Sequence, residues 1–252
     1  MDGEQLLSGG NASGAVVRIG STVRKQWADA SPSVLEFMTA MREAGVDVPA
    51  VYGRDEQGRQ VTEFIPGQLA LESAPLTHAQ LGRVGALVRA IHDASKTFAP
   101  DGEAVWSTAI PAPGTELICH NDLAPWNLII GDRWVFIDWD AAAPSTRLWD
   151  LAYSAQAFTL SNTDQTPQEA AGNLVAFVNG YGADRALRAE LPKAMYRRAA
   201  AMLELLNSSH DTGREPWASM YSDGHGDHWR AATDYAKHHQ SIWSEALLAR
   251  AR

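Results

Sequence analysis

Three oxygen-bearing side chains, Asp122, Asn127 and Asp138, carry the chemistry this chain suggests. The first two lie five residues apart in Cys119-His120-Asn121-Asp122-Leu123-Ala124-Pro125-Trp126-Asn127, and Asp138 follows eleven residues later in Phe136-Ile137-Asp138-Trp139-Asp140. Phosphoryl transfer asks little covalent work of a protein. It needs a carboxylate to orient the attacking hydroxyl and oxygen ligands to hold magnesium against a triphosphate. Asp122 suits the first task, accepting the hydroxyl's hydrogen bond and, late in the reaction, its proton. Asn127 and Asp138 suit the second, one neutral and one anionic, because Mg2+ is a hard cation that prefers oxygen donors. His120 joins Asp122 in the catalytic segment as a loop-orienting residue rather than as the base. Asp140 is a candidate for a second metal-sphere or a substrate carboxylate.

The order H-x-D-x-x-x-x-N, then an apolar strand ending in Asp, resembles the catalytic loop and metal segment of the aminoglycoside phosphotransferase family. The resemblance extends to Arg147-Leu148-Trp149-Asp150-Leu151-Ala152. It implies an α+β, bilobal protein-kinase-like fold: a small N-terminal antiparallel β lobe over residues 1–66, and a larger, mainly helical lobe over residues 67–252 with the catalytic loop and the acceptor site. It also implies that Asp150 braces the catalytic loop through backbone hydrogen bonds. Asp138-Trp139-Asp140 stands where protein kinases have Asp-Phe-Gly, and no Ala-Pro-Glu segment follows. Both departures fit small-molecule kinases better. Trp126 occupies a loop position that is small or polar in many relatives and is a candidate for shaping the acceptor pocket.

The elements that must position these groups are legible upstream. Leu6-Leu7, a loop from Ser8 to Gly14, Ala15–Ile19, a Gly20-Ser21 turn and Thr22–Trp27 read as strand, loop, strand, turn, strand. Small residues let backbone N–H groups approach phosphate oxygens, so Gly9, Gly10, Asn11 and Ser13 are nucleotide-loop candidates, although the spacing departs from G-x-G-x-x-G. A kinase-like third strand offers the phosphates a lysine. Lys25 is favoured over Arg24 because it shares a strand face with Val23, the side that would also meet the base. Ser31-Pro32 predicts a helix start with Ser31 as N-cap, and Val34, Leu35, Met38 and Met41 recur at helical spacing until Gly45. Glu36 is the candidate partner for Lys25, although it lies at the edge of that apolar stripe. Strands are predicted at Val48–Tyr52 and Gln60–Ile65. By resemblance, Glu63, Phe64 and Ile65 form the hinge that meets the adenine edge.

Beyond residue 75 helices dominate. Thr77–Gln80 is a capping box opening a helix to about Ser95, on which His92 reads as a packed or capping residue. Further helices are expected near 147–160, 167–181 and 185–209, then a loop around Gly213–Gly226 and a last helix from about 228 to 250, with Asp227 as its N-cap. The histidines of Asp223–His228 are too few and too loosely spaced for zinc. Arg197-Arg198 reads as a solvated helix face. By resemblance, Asp211, Glu215, Asp223 and Asp227 gather around the acceptor cleft.

Composition bounds the function without naming it. With net charge −9, nucleic acid and anionic membranes are poor partners, while cationic ligands are attracted. No run approaches the length of a membrane span, and the N-terminus lacks a basic leader, which makes a cytoplasmic location the default. One cysteine, Cys119, rules out an internal disulfide and reads as a buried strand residue. The expectation is an ATP- or GTP-dependent, Mg2+-requiring O-phosphotransferase acting on a small hydroxylated, cationic acceptor of the aminoglycoside type. A choline, homoserine or sugar kinase is the alternative, and a non-catalytic nucleotide-binding regulator a more distant one. The oligomeric state is open between monomer and homodimer.

Overall fold

The computed structural model describes residues 3–7, 15–73 and 75–249. Five antiparallel strands, β1 (Gln5–Leu6), β2 (Val17–Ile19), β3 (Thr22–Lys25), β4 (Val51–Arg54) and β5 (Gln60–Glu63), form one sheet in the order β1-β2-β3-β5-β4. Helix α1 (Ser31–Glu43) lies between β3 and β4 in sequence and buries Val34, Leu35, Phe37, Met38 and Met41. Its N-cap is Ala30, not Ser31. The Ser31 hydroxyl instead accepts the Ala28 N–H at 2.9 Å, so the helix begins one residue earlier than the Ser-Pro pair suggests. β3 stops at Lys25, two residues short of the expected Trp27. β4 starts three residues later than expected, with its register against β5 shifting between Val51 and Gly53.

The remaining chain is largely helical around two small sheets. β6 (Gln68–Leu69), β8 (Leu128–Ile130) and β9 (Trp134–Phe136) form one, and β7 (Leu117–Cys119) pairs with β10 (Ala143–Ser145) in the other. The helices are α2 (His78–Ser95), α3 (Arg147–Thr159), α4 (Pro167–Tyr181), α5 (Arg185–Thr212), α6 (Trp217–Met220), α7 (Gly226–His238) and α8 (Gln240–Leu248). The capping box at Thr77 forms. The expected 213–226 loop instead contains α6 and a wide π-type turn, Tyr221–His225, with Gly224 at φ +101°. The single terminal helix is broken at His239 into α7 and α8. Asp227 is not an N-cap; α7 starts at Gly226, which leaves Asp227 inside its first turn.

Helices α2 and α4 approach so closely that glycine is required at the crossing. A Cβ on Gly180 would sit 1.9 Å from the Gly82 carbonyl oxygen, and one on Gly85 2.1 Å from that of Phe177. Elsewhere in a helix Gly→Ala stabilises by up to about 1 kcal/mol. Here Gly180→Ala is expected to destabilise by about 1–3 kcal/mol through overpacking. Urea denaturation checks this, and a variant as stable as the parent would show that the helices separate at no cost.

Candidate active site

The β8–β9 hairpin converts an eleven-residue spacing into adjacency. Leu128 pairs with Phe136, and the Ile137 N–H donates to the Asn127 carbonyl at 2.8 Å. Asn127 and Asp138 therefore leave the same end of one hairpin. On the other side, β7 delivers His120 to Asp122 directly from a buried strand, and β10 pairs with β7 just after Asp140.

Asp122 is clamped at both carboxylate oxygens. Asn127 Nδ2 donates to Oδ2 at 2.7 Å and to the Asp122 carbonyl at 3.0 Å, while the Tyr153 hydroxyl donates to Oδ1 at 2.8 Å. Burial raises the Asp122 carboxyl above its ordinary value, and the nearby Asp138 charge adds to this against the opposing Tyr153 hydrogen bond. With its amide nitrogen so committed, Asn127 keeps its amide oxygen free of protein donors among the described residues.

His120 is fully buried with both ring nitrogens in use. Nδ1 accepts the Asp122 N–H at 3.2 Å, and Nε2 donates to the Ile137 carbonyl at 3.1 Å. That assignment leaves no lone pair for a substrate proton, so the ring ties the Asp122 loop to the Asp138 segment. This geometry suits a positioning role better than that of a base. Trp139 is wedged between this ring, 4.6 Å away centroid to centroid, and Phe37 of α1 at 5.7 Å.

Asp150 holds the loop from below. Its Oδ1 accepts the Asn121 N–H at 2.9 Å, and its Oδ2 meets His92 Nε2 at 3.0 Å. His92 Nδ1 meets the Tyr181 hydroxyl at 2.9 Å, which in turn accepts from Arg147 at 2.8 Å. Asn121 adopts φ +63°, a left-handed backbone that asparagine tolerates, and its amide donates to the Ala141 and Ala143 carbonyls. His92, Cys119 and Asp150 bring their ligand atoms within 4.8 Å of one another. Both His92 nitrogens are already committed, however, and burial pushes the Cys119 thiol far up, so the cluster acts as a brace.

The β sheet contributes Lys25. Its ammonium lies 2.6 Å from Asp138 Oδ1 and 2.6 Å from Asp140 Oδ2. Burial alone would lower this lysine, but the two carboxylates outweigh it and hold the group above its ordinary value. Gln60, opposite Lys25 in the β3–β5 register, donates to Asp140 at 3.4 Å. Arg24 points elsewhere, to Thr22 and Asp55.

Glu36 is not the partner of Lys25. It is exposed on α1 and has no hydrogen bond or ion pair among the described residues, because the stripe that α1 buries excludes its position. Asp138 and Asp140 take that role. The Glu63 side chain accepts from Ala50 and pairs with Arg133 of the β8–β9 turn at 2.5 Å, tying sheet to hairpin. The Glu63 and Phe64 N–H groups are spent on Ala50 and Ser21, whereas the Ile65 N–H has no acceptor among the described residues. Gly9, Gly10, Asn11 and Ser13 lie outside the described residues. Of the acids near the C-terminus, Asp211, Asp223 and Asp227 are exposed, while Glu215 accepts from the Ser219 N–H and hydroxyl. Arg198 is 6% exposed, not solvated; it lies over the Tyr153 ring at 4.2 Å.

A model of the phosphotransferase enzyme family matches residues 5–106 and 103–191. The chain belongs to this family. The chain is 29% identical over 152 residues to the trifolitoxin immunity protein of Rhizobium leguminosarum bv. trifolii, a match covering 57% of the chain and 58% of that relative, little more than half its length. Its fold is shared with a choline/ethanolamine kinase family protein from Mesorhizobium loti (TM-score 0.62, 17% identity, 98% of this chain and 92% of that one). It is shared too with a microcompartment-associated aminopropanol kinase (0.65, 15%, 96% and 94%) and with the amicoumacin kinase hAmiN (0.69, 13%, 93% and 88%). The bilobal protein-kinase-like fold is thus the fold of this chain. No helix among its described residues is long and apolar enough to cross a membrane.

Two residues at this candidate site escape sequence reasoning. Tyr153 lies three positions after Asp150 on α3, so helical periodicity could have placed both on the face turned to the loop. Arg198 carries no such signal, because only the packing of α5 on α3 buries it.

Proposed function

We propose that this protein transfers the γ-phosphoryl group of ATP, or of GTP, to a hydroxyl of a small cationic molecule of the aminoglycoside antibiotic type. The observation that carries the reading is the juxtaposition of a doubly clamped Asp122 with Asn127, Asp138 and Lys25. A nucleotide binder without catalysis has no use for the clamped carboxylate. Asp122 accepts the acceptor hydroxyl's hydrogen bond and then its proton, as a loose transition state permits without prior alkoxide formation.

The donor set fits magnesium: an anionic oxygen on Asp138 and a neutral one on Asn127 whose amide nitrogen is turned away onto Asp122. When bound, the ion would neutralise charge on the phosphates. Lys25 would exchange part of its contact with Asp138 and Asp140 for phosphate oxygens. The Ile65 N–H would meet the adenine edge, and the Gly9, Gly10, Asn11 and Ser13 loop would cover the phosphates.

Net charge −9 favours a cationic acceptor. Choline, ethanolamine and aminopropanol, named in two proteins of like fold, are amino alcohols, and the relative named for immunity supports a protective role, both by analogy. Trp126 and the acids Asp211, Asp223 and Asp227 would flank the acceptor, since α7 carries Asp227 two residues before Trp229, which stacks on Tyr153. Glu215 would contribute charge only, being held by Ser219. A metabolic amino-alcohol kinase is the second reading, favoured by the same two fold relatives. A screen of aminoglycosides, amino alcohols, and neutral and anionic sugars for acceptor-dependent ADP release decides between them. A neutral or anionic best acceptor would overturn the cationic reading.

Lys25→Ala is expected to weaken ATP binding far more than adenosine binding, because the ammonium is a point charge aimed at phosphate. Competition with a fluorescent nucleotide measures both. A larger loss for adenosine would remove Lys25 from the phosphate site, and a larger effect from Arg24→Ala would transfer the role to its neighbour.

A further inference from the structure

We propose that Tyr153, backed by Arg198, is a positioning residue for phosphoryl transfer: it locks the rotation of the Asp122 carboxylate from the side opposite Asn127. This rests on the reading above, in which Asp122 orients the attacking hydroxyl. The terminal torsion of an aspartate is broad and roughly two-fold, so one donor alone leaves a carboxylate free to rock. Here each oxygen has its own donor, Asn127 at 2.7 Å on Oδ2 and Tyr153 at 2.8 Å on Oδ1. The remaining lone pairs are thereby aimed in one direction.

Tyr153 is itself held from three sides. The ring stacks on Trp229 at 6.0 Å and 10°, Trp126 meets it edge-on at 6.3 Å, and the Arg198 guanidinium carbon lies 4.2 Å from its centroid. At 4% exposure its hydroxyl acts through Asp122 rather than on a substrate. Arg198 is as unusual as the tyrosine. It is buried with no carboxylate in ion-pair contact among the described residues; among these, Nη1 has no hydrogen-bond partner and Nη2 reaches only the Asn121 carbonyl at 3.4 Å. A desolvated cation kept on these terms is compensated by the charges of Asp122 and Asp150 at longer range, and in contact by the π surface of a phenol that donates to a carboxylate and by the backbone of the same loop. The cation draws charge from the ring and strengthens the donor, so one guanidinium steadies both the Asp122 side chain and the peptide before it.

The test uses the full chain and Mg·ATP, with water as the acceptor. Tyr153→Phe, which keeps the ring and removes only the donor, is expected to lower turnover by about 10–100-fold with the KM for Mg·ATP and the ADP-binding stoichiometry unchanged. A purely structural role would instead lower the stoichiometry or the thermal midpoint in step with turnover. Arg198→Met should cause a smaller loss that nearly vanishes in the Tyr153→Phe background, and Arg198→Lys should restore part of it. Additive losses would overturn the claim that Arg198 acts through Tyr153, and if Arg198→Met does not fold, Arg198→Lys in both backgrounds carries the cycle.

A second readout needs no turnover. The two Asn127 side-chain amide proton signals, assigned by NMR with Asn127→Asp, should move toward each other in Tyr153→Phe as the carboxylate begins to rock. Unchanged signals would overturn the inference even if the protein were no kinase. Conversely, moved signals with turnover indifferent to Asp122→Asn would sink the functional reading and leave the clamp standing.

Discussion

Asp122→Asn is expected to fold, to bind nucleotide, and to lose turnover by about 10²–10⁴-fold. The loss has two sources. An amide cannot take the hydroxyl proton, and it cannot satisfy the clamp. Both neighbours, Asn127 Nδ2 and the Tyr153 hydroxyl, are donors, so an Asn side chain offers an acceptor to one and must turn its own NH2 toward the other. Tyr153, whose hydroxyl is held protonated by burial and by the adjacent Asp122, can rotate its proton away, whereas the Asn127 amide is fixed by its second bond to the loop carbonyl. The amide oxygen should therefore settle on Asn127. ADP affinity and far-UV circular dichroism close to those of the parent, with steady-state turnover falling as stated, are the expected set. Near-normal turnover would remove Asp122 from the base role.

Asp138→Ala is expected to abolish the magnesium dependence of nucleotide binding. Asp138 supplies the anionic oxygen of the proposed metal site, and it also takes one of the two ion pairs of Lys25. Its removal leaves the ammonium with Asp140 alone, so metal-free ADP should bind at least as well as before while added Mg2+ gives no further gain. Calorimetric titration with and without Mg2+ measures both quantities. Because Asp138 sits at φ +60°, where alanine costs roughly 1–2 kcal/mol and asparagine is tolerated, Asp138→Asn provides the backbone-neutral companion. An unchanged Mg2+ effect in both variants would overturn the metal assignment.

Short-range reading anticipates spatial proximity where the candidate residues are concentrated in one segment. The stretch from His120 to Asp140 crosses a loop and one hairpin, so its order along the chain nearly equals its order in space, and the brace by Asp150 lies only a turn of helix beyond β10. Lys25 could be separated from Arg24 by strand alternation alone. Errors gathered where a residue's partner is remote or where two periodic signals compete. Glu36 follows from the expectation of one ion pair, but the face that α1 buries turns it outward. Arg198 looks like surface because adjacent arginines usually are, and α5 is only weakly amphipathic, which gives no warning of burial. The 213–226 segment is rich in glycine and polar residues, yet Trp217, Met220 and Tyr221 pack on the Trp229 layer and draw it into helical turns.

The sequence by itself determined the family of this protein and singled out Asp122, Asn127 and Asp138 as candidates, since the proposed metal site and base would be built from particular oxygen donors whose spacing one hairpin preserves. Only the tertiary structure decided what holds them. The two carboxylates around Lys25, the second donor on Asp122, and the buried guanidinium behind it come from elements 31 to 115 residues away, and hydrogen bonds between such distant segments leave no periodic trace in a chain.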